Sequence, residues 1–251
     1  MNKKSNFDGA AGKFSRCIYD SAKGKVRLAV LQRDLQQVRD GRPLRVLDVG
    51  VGMGQMALWF AEAGHDVVAC DISDDMLNET KVAAIARGCL QTMSFVYAGL
   101  DQLPELEKFD LVLCHAVLEW IEDHESFIQH LANQLKPQGH LSLMAFNQKA
   151  LLYQHLVSAN FEYVEGGMTR RSRQRLTPNW PITPAALENA IAKAGMSVST
   201  RSGIRTFSDY VRDKQQTEIQ QEALMRLELI HSQDPDFLAV SRYLHFYCLR
   251  G

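Results

Sequence analysis

The sequence predicts an α/β fold built on a doubly wound, mostly parallel sheet of seven strands. Between residues 45 and 146, short apolar runs alternate with segments of helical length. The runs are almost continuous in valine, leucine and phenylalanine, which is typical of strands that helices cover on both faces. Repeated strand–helix units of this kind form parallel sheets, and such sheets bind ligands at the carboxyl ends of their strands.

Five of the seven strands come from this alternating region, and two follow it. The first five apolar runs cover residues 45–49, 66–71, 93–98, 109–114 and 140–146. Helical patterns lie between them at about 55–63, 74–87 and 122–135. The remaining pattern predicts a helix from Pro184 to about 194, a strand over 196–207, a long amphipathic helix over 208–231 and a closing strand over 242–249.

The chain length of 251 residues suits a single domain with additions to it, so we expect one domain over 1–251. Residues 1–40 precede the first strand and form an N-terminal extension that is predicted to be mostly helical from Ala22. Residues 147–181 interrupt the alternation with aromatic residues, a double glycine and an arginine cluster. We expect this segment to be an insertion after the fifth strand, on the substrate side.

Composition excludes several classes of protein. The 28 basic and 29 acidic residues nearly cancel, which excludes a uniformly basic surface for nucleic acid but leaves room for a local basic patch. No apolar window is long enough to span a membrane and no secretory signal begins the chain, so we expect a cytoplasmic protein without a membrane partner. The five cysteines are scattered without ligand spacing, so we expect neither a disulfide framework nor a metal site.

The most specific local signal is a glycine-rich turn directly after the first strand. The turn reads Gly50-Val51-Gly52-Met53-Gly54, and its glycines allow the backbone to turn sharply and to approach a ligand. Asp71 ends the second strand, where its carboxylate can accept both hydroxyls of a ribose. Gln55 stands where a dinucleotide-binding turn needs a small residue, and no P-loop motif occurs. The pattern therefore predicts an adenosine ligand without phosphates.

Four motifs follow one another along the first part of the chain. They are DVGVGMG at 48–54, Asp71, FDLV at 109–112 and LKPQG at 135–139. In order and spacing they resemble the class I S-adenosylmethionine-dependent methyltransferases, although Gln138 departs from the commoner Lys-Pro-Gly-Gly turn. The resemblance implies a Rossmann-like fold of this class and S-adenosylmethionine as the cofactor.

Further motifs are spread over nearly the whole chain. They are FSR at 14–16, IY at 18–19, KG at 23–24, Arg27, HAVLEW at 115–120, NFEYV at 160–164 and DY at 209–210. Together they resemble the bacterial tRNA 5-carboxymethoxyuridine methyltransferase family. The resemblance implies methyl transfer to the carboxylate of 5-carboxymethoxyuridine at the tRNA wobble position, giving the methyl ester. The implied partner is the anticodon loop of tRNA.

The same resemblance implies a set of cofactor-binding residues, namely Arg27, Gly50, Val51, Asp71, Gly99, Leu100 and His115. The residues themselves add Gly52, expected beside the methionine part of the cofactor, and Asp101, expected to accept a hydrogen bond from the adenine amino group. Arg27 is expected to pair with the carboxylate of the cofactor, because a guanidinium fork suits a planar anion.

A carboxylate acceptor changes what catalysis requires. Carboxyl groups titrate near pH 4, so the acceptor is already ionised at neutral pH and no general base is required. Catalysis then depends on holding an oxygen in line with the methyl group. His115, Asn147 and Tyr153 are candidates for this positioning, and no catalytic residue is assigned.

Basic residues at two places are candidates for tRNA binding. The N-terminal arm offers the basic residues Arg16 and Lys23, with the aromatic Tyr19 between them. The predicted insertion offers four arginines within a stretch of six residues that contains no acid, namely Arg170, Arg171, Arg173 and Arg175. Such clusters can follow the phosphates of a nucleic acid.

Two other functions remain open from the residues alone. A small-molecule methyltransferase, acting on a carboxylic acid or a quinone-type acceptor, needs the same core motifs, and the near-zero net charge favours it. A cofactor-binding module without turnover would also keep the glycine turn and Asp71.

Overall fold

Seven strands form one sheet in the part of the chain that the computed structural model describes, residues 21–168, 178–212 and 216–251. In chain order they are β1 (Arg45–Val49), β2 (Asp66–Asp71), β3 (Met93–Tyr97), β4 (Phe109–His115), β5 (Leu135–Phe146), β6 (Met196–Ile204) and β7 (Tyr243–Arg250). Their order across the sheet is β3-β2-β1-β4-β5-β7-β6. Strand β7 runs antiparallel to both of its neighbours, and the other pairings are parallel.

Helices cover both faces of this sheet. They are α1 (Ala22–Arg39), α2 (Gln55–Ala61), α3 (Asp74–Ala86), α4 (His124–Gln134), α5 (Gln148–Val157), α6 (Phe161–Glu165), α7 (Pro184–Lys193), α8 (Glu218–His231) and α9 (Pro235–Leu238). None of the helices in the described ranges is long and apolar enough to cross a membrane.

Adjacent residues of the central strands enter opposite cores. In β1, Leu47 and Val49 pack into one apolar cluster, whereas Val46 packs into the other. The first cluster includes residues of α4 and α7, and the second includes residues of α1, α2 and α3. A strand covered in this way must be apolar on both faces, which explains the continuous apolar runs in the sequence. The prediction of a doubly wound, mostly parallel seven-stranded sheet is confirmed.

The strand directions bring several chain segments to one edge of the sheet. Because β7 is antiparallel, its first residue lies at the edge where the parallel strands end. Tyr243 at the start of β7 pairs with Phe146, the last residue of β5, and with Ile204, the last residue of β6. The loops after β1, β2, β3 and β4 lie at this same edge.

The predicted long helix over 208–231 is wrong in its first half. Helix α8 begins only at Glu218, after the Thr217 capping box. The buried Glu228 accepts hydrogen bonds from the backbone amides of Thr206, Phe207 and Ser208, so these amides are held in a turn rather than a helix.

The expected apolar face of this helix is also wrong. Ile219 and Ile230 are 77% and 69% exposed, and the residue of α8 that is buried is Glu228. The preceding strand stops at Ile204 rather than at 207, because Arg205 adopts a left-handed conformation with φ of 60°.

Strand β5 starts at Leu135, five residues before the predicted start at 140. Leu135 pairs with Phe109, and the register then shifts before Leu111 pairs with His140. Gln138 lies in this irregular segment with φ of 60°, a conformation that favours glycine. The predicted turn at 136–139 is therefore part of the strand.

Replacement of Gln138 by glycine is expected to stabilise the protein. The left-handed backbone is sterically unfavourable for a residue with a Cβ atom, and Gln138→Gly removes this strain. The free energy of unfolding should therefore rise by about 0.5–1 kcal/mol. Urea denaturation measures this change. The control is Gln129→Gly inside α4, which should lower the same free energy by about 1 kcal/mol, and equal effects of the two changes would contradict the account.

Candidate active site

A cavity of about 820 Å³ opens at the edge of the sheet where the parallel strands end. Its size suits a small organic ligand. The nine residues predicted to bind the cofactor all line it, and they are Arg27, Gly50, Val51, Gly52, Asp71, Gly99, Leu100, Asp101 and His115. They come from α1 and from the ends of β1, β2, β3 and β4, so the topology brings distant segments to one place.

The glycine turn is close to its neighbours and needs glycine at three positions. Gly50, Gly52 and Gly54 have φ of 69°, 55° and 72°. A Cβ atom on Gly50 would lie 2.4 Å from Val117 Cγ2, and one on Gly54 would lie 2.4 Å from Thr80 Cγ2. The left-handed backbone favours glycine at all three positions, and the absence of space also excludes larger residues at Gly50 and Gly54.

Asp71 fixes this turn against the end of β2. Its Oδ2 accepts a hydrogen bond from Gly52 N at 2.9 Å, and its Oδ1 accepts one from Ser73 N at 2.9 Å. A carboxylate oxygen can accept more than one hydrogen bond, so Asp71 can hold the turn and still accept from ligand hydroxyls. Burial and the neighbouring Asp71 raise the pKa of Asp48 to about 7.

Arg27 and Glu119 offer polar atoms at the cavity that no described residue satisfies. The Nε atom of Arg27 is buried without a hydrogen-bond partner, and its guanidinium lies 4.8 Å from the ring centroid of Tyr243. The Oε2 atom of Glu119 is likewise buried without a partner, and burial raises the pKa of Glu119 to about 7. A free guanidinium donor in a cavity fits a ligand that carries a carboxylate.

A chain of hydrogen bonds runs from the cavity wall into the core. His115 Nε2 lies 2.8 Å from Ser142 Oγ, and Ser142 Oγ lies 2.8 Å from His245 Nε2. His245 Nδ1 lies 2.7 Å from Asp34 Oδ2, and Arg33 pairs with the other oxygen of Asp34. Burial opposes the ionisation of Asp34, but the hydrogen bond and charge of His245 outweigh it and hold the pKa of Asp34 below its ordinary value. Burial and then His245 lower the pKa of His115 well below its ordinary value, so His115 is neutral at neutral pH.

The directions of these hydrogen bonds decide what His115 presents to the cavity. Ionised Asp34 only accepts, so the Nδ1 atom of His245 carries a proton. When His245 is neutral, its Nε2 accepts from Ser142, Ser142 accepts from His115 Nε2, and His115 Nδ1 keeps a lone pair. The Ser142 hydroxyl thereby links His115, which lines the cavity, to His245 in the core.

The structure places two other predicted residues away from the cavity. Asn147 is fully buried and caps α5, and its amide donates to the carbonyls of Ala239 and Ser241. Because its side chain is already satisfied, Asn147 does not position an acceptor. Tyr153 packs edge-on against Tyr210 and does not line the cavity either.

The candidates for tRNA binding are only partly described. Lys23 pairs with Asp209 at 2.6 Å. The others lie outside the described residues, namely Arg16, Tyr19, Arg170, Arg171, Arg173 and Arg175.

Among the cavity residues that the sequence analysis missed, three lie beside the last two strands. Arg205 follows β6, Arg242 precedes β7 and Tyr243 begins β7, and all three line the cavity. They carry no motif and lie far from the glycine turn in sequence, so only the antiparallel placement of β7 reveals them. In the described ranges, no group of His, Cys, Asp or Glu side chains is arranged to hold a metal ion.

Comparisons with known proteins agree with this geometry. Residues 47–143 match the family described as "Methyltransferase domain". The chain is 41% identical over 245 residues to the tRNA 5-carboxymethoxyuridine methyltransferase of Escherichia coli (strain K12), which covers 96% of this chain and 94% of that protein. The chain belongs to the tRNA 5-carboxymethoxyuridine methyltransferase family.

Two further proteins show how widely the fold is shared. The ubiquinone biosynthesis O-methyltransferase of Chelativorans sp. (strain BNC1) is 30% identical over 173 residues, covering 68% of this chain and 66% of that protein. The crystal structure of magnesium protoporphyrin IX methyltransferase from Synechocystis PCC 6803 with bound SAH has a TM-score of 0.64 at 19% identity and covers 98% of this chain and 96% of that chain. The methyltransferase is thus a class I enzyme that uses S-adenosylmethionine, as the motifs predict.

Replacement of Gly50 by alanine is expected to weaken cofactor binding. In Gly50→Ala the alanine has to adopt an unfavourable left-handed backbone, and its methyl group is forced against Val117. The dissociation constant for S-adenosylmethionine should therefore rise at least about tenfold. Gly64→Ala is the control, because Gly64 has φ of 86° with nothing within 4 Å of its Cβ position. Isothermal titration calorimetry should show weakened binding in Gly50→Ala only. Equal affinities of the two variants would contradict the assignment of the glycine turn to cofactor binding.

Removal of the Ser142 hydroxyl tests the hydrogen-bond chain. Ser142→Ala leaves His115 and His245 without their shared partner, so S-adenosylmethionine should bind about threefold to tenfold more weakly. The control is Ser199→Ala, whose hydroxyl donates to the carbonyl of Tyr247. Calorimetry and thermal melting distinguish a role in cofactor binding from a purely structural role. A lower melting temperature with unchanged affinity would mean that the hydrogen bonds of Ser142 are only structural.

Proposed function

We propose that this enzyme transfers a methyl group from S-adenosylmethionine to the carboxylate of 5-carboxymethoxyuridine at the wobble position of tRNA, giving the methyl ester in the cytoplasm. The proposal is carried by the 41% identity to the Escherichia coli enzyme, which extends over 96% of this chain and not only over the shared methyltransferase core. The cavity supports it, because it combines a glycine cradle, a ribose-type carboxylate and an unpartnered guanidinium.

Each cavity residue has a proposed role in holding the cofactor. Asp71 accepts the ribose hydroxyls, Asp101 accepts from the adenine amino group, and Arg27 pairs with the methionine carboxylate. The backbone of Gly50, Val51 and Gly52 approaches the methionine part, while the segment Gly99–Leu100 and His115 complete the walls.

The chemistry suits a site without a general base. Bound S-adenosylmethionine supplies a methyl group on a positively charged sulfur, and an O–C bond forms as the S–C bond breaks to leave S-adenosylhomocysteine. The acceptor carboxylate is ionised at neutral pH, so no residue of the chain has to remove a proton. The lowered pKa of His115 keeps its ring neutral, which suits a positioning role and places no second positive charge beside the sulfur.

Contacts with tRNA are proposed on the basic residues of the N-terminal arm and of the segment after α6. Lys23 would take part together with Arg16 and Tyr19. The second group comprises Arg170, Arg171, Arg173 and Arg175, whose guanidinium groups suit the phosphates of the anticodon stem and loop.

Methyl-labelled S-adenosylmethionine and tRNA from cells that lack this protein test the function. Label is expected to enter the tRNA and to be released by mild alkali, because a methyl ester is hydrolysed whereas a methyl group on nitrogen, carbon or ribose is not. Asp71→Ala is the control and should abolish incorporation through loss of cofactor binding. Stable label would contradict a carboxylate acceptor. Labelling of small acids or quinones without labelling of tRNA would favour a small-molecule methyltransferase.

A further inference from the structure

Two arginines lie at the end of the cavity opposite the predicted adenosine residues. Arg205 follows β6 and Arg242 precedes β7, and both line the cavity. Asp71 and Asp101 follow β2 and β3, on the other side of β1 and β4 in the strand order. In this arrangement the nucleoside part of the cofactor and the two arginines take opposite ends of one cavity.

The two arginines both form ion pairs with the buried carboxylate of Asp209. Asp209 pairs through Oδ1 with Arg205 Nη2 and with Lys23 Nζ, and through Oδ2 with Arg242 Nε at 2.8 Å. Its side chain is 1% exposed, while those of Arg205 and Arg242 are 14% and 12% exposed. Burial opposes ionisation, but Arg205 and Arg242 outweigh it and hold the pKa of Asp209 below its ordinary range. The three cations Lys23, Arg205 and Arg242 therefore share the single carboxylate of Asp209.

Several guanidinium donors remain unused. Arg205 Nε is buried without a hydrogen-bond partner. Among the described residues, the Nη1 atoms of Arg205 and Arg242 make no hydrogen bond, while Arg242 Nη2 donates to Gln154. Buried donors of this kind are expected to have a partner, which a ligand anion can provide.

The backbone holds Arg205 in the left-handed conformation that ends β6. Its φ is 60°, which is unfavourable for a residue with a long side chain. Glu228 fixes the following amides of Thr206 and Phe207, so the turn persists. Strain of this sort is typical of ligand-binding positions.

We infer that Arg205 and Arg242 form the subsite that binds the carboxylate of the acceptor nucleoside. This inference rests on the proposed function. A carboxylate, rather than a tRNA phosphate, suits the pair because both side chains are largely buried, and a phosphate of the polynucleotide backbone would meet exposed arginines. The Tyr243 ring adjoins both this subsite and Arg27, because the guanidinium groups of Arg27 and Arg205 lie 4.8 Å and 5.9 Å from its centroid.

The test compares binding of two tRNAs that differ only in the carboxylate. One carries 5-carboxymethoxyuridine and the other carries 5-methoxyuridine, in which a hydrogen replaces the carboxylate, and both are titrated onto the full-length protein with S-adenosylhomocysteine present. The unmodified protein should prefer the first by about tenfold or more, the value of a charge-assisted hydrogen bond. Arg205→Asn and Arg242→Gln should reduce this preference to about twofold or less and should lower kcat/KM for methyl transfer about a hundredfold. Asparagine is chosen because it tolerates the left-handed backbone.

Controls separate this loss from unfolding and from loss of the cofactor. Arg201→Asn changes an exposed arginine of the same strand, which pairs with Glu188, and should keep the full preference. All variants should bind S-adenosylmethionine within about threefold of the unmodified protein, because the arginines are assigned to the acceptor. If Arg205→Asn does not fold, Arg205→Lys keeps a cation beside Asp209, removes Nε as a donor, and should still reduce the preference.

Three results would overturn the inference. If both variants still prefer the tRNA that carries the carboxylate, the arginines do not bind that group. The proposed function would stand in that case if methylation of tRNA persisted. Equal weakening for both tRNAs would assign the arginines to phosphate. Failure of the unmodified protein to methylate either tRNA, with S-adenosylmethionine still bound, would reject the proposed function and the inference with it.

Discussion

The Asp71 carboxylate holds two loops in place through its two oxygens, and the rest of the site depends on it. It accepts from Gly52 N after β1 and from Ser73 N after β2, so the loops at the ends of neighbouring strands share one acceptor. The glycine turn can then adopt its left-handed backbone without a side chain of its own to anchor it. Thr80 of α3 adds a hydrogen bond to the carbonyl of Gly52, which ties the turn to the helix that Asp71 precedes.

Charge is distributed unevenly along the edge of the sheet that holds the cavity. The end near β1, β2 and β3 carries the carboxyl groups of Asp48, Asp71 and Asp101, and burial together with the neighbouring Asp71 raises the pKa of Asp48 to about 7. The end near β7 and β6 carries Arg205 and Arg242 around Asp209. A nucleoside with free hydroxyls suits the first end and an anion suits the second. The cavity therefore distinguishes its two ends by charge rather than by shape alone.

Much of the fold follows from local physics that the sequence displays. Strands covered on both faces must be apolar throughout, so β1 to β4 stand out as continuous runs, and Gly50 and Gly54 mark a turn where a Cβ has no space. The predictions failed where a long-range contact overrides the local pattern. Residues 208–212 look helical, yet Glu228 takes up the preceding amides and the helix begins at Glu218. Asn147 looks like a residue of the sheet edge, but its amide is consumed by the carbonyls that follow α9.

The sequence by itself determined the doubly wound sheet, the family and the residues that line one end of the cavity. These features depend on short motifs and on the spacing of apolar residues, which are local properties of the chain. Only the tertiary structure decided the other end of the cavity and the path from His115 to Asp34. Arg205 and Arg242 flank the two final strands and His245 lies in β7, so their positions depend on the antiparallel pairing of β7 with β5 and β6. No local pattern encodes a pairing between segments a hundred residues apart, because its free energy arises only when the sheet is assembled.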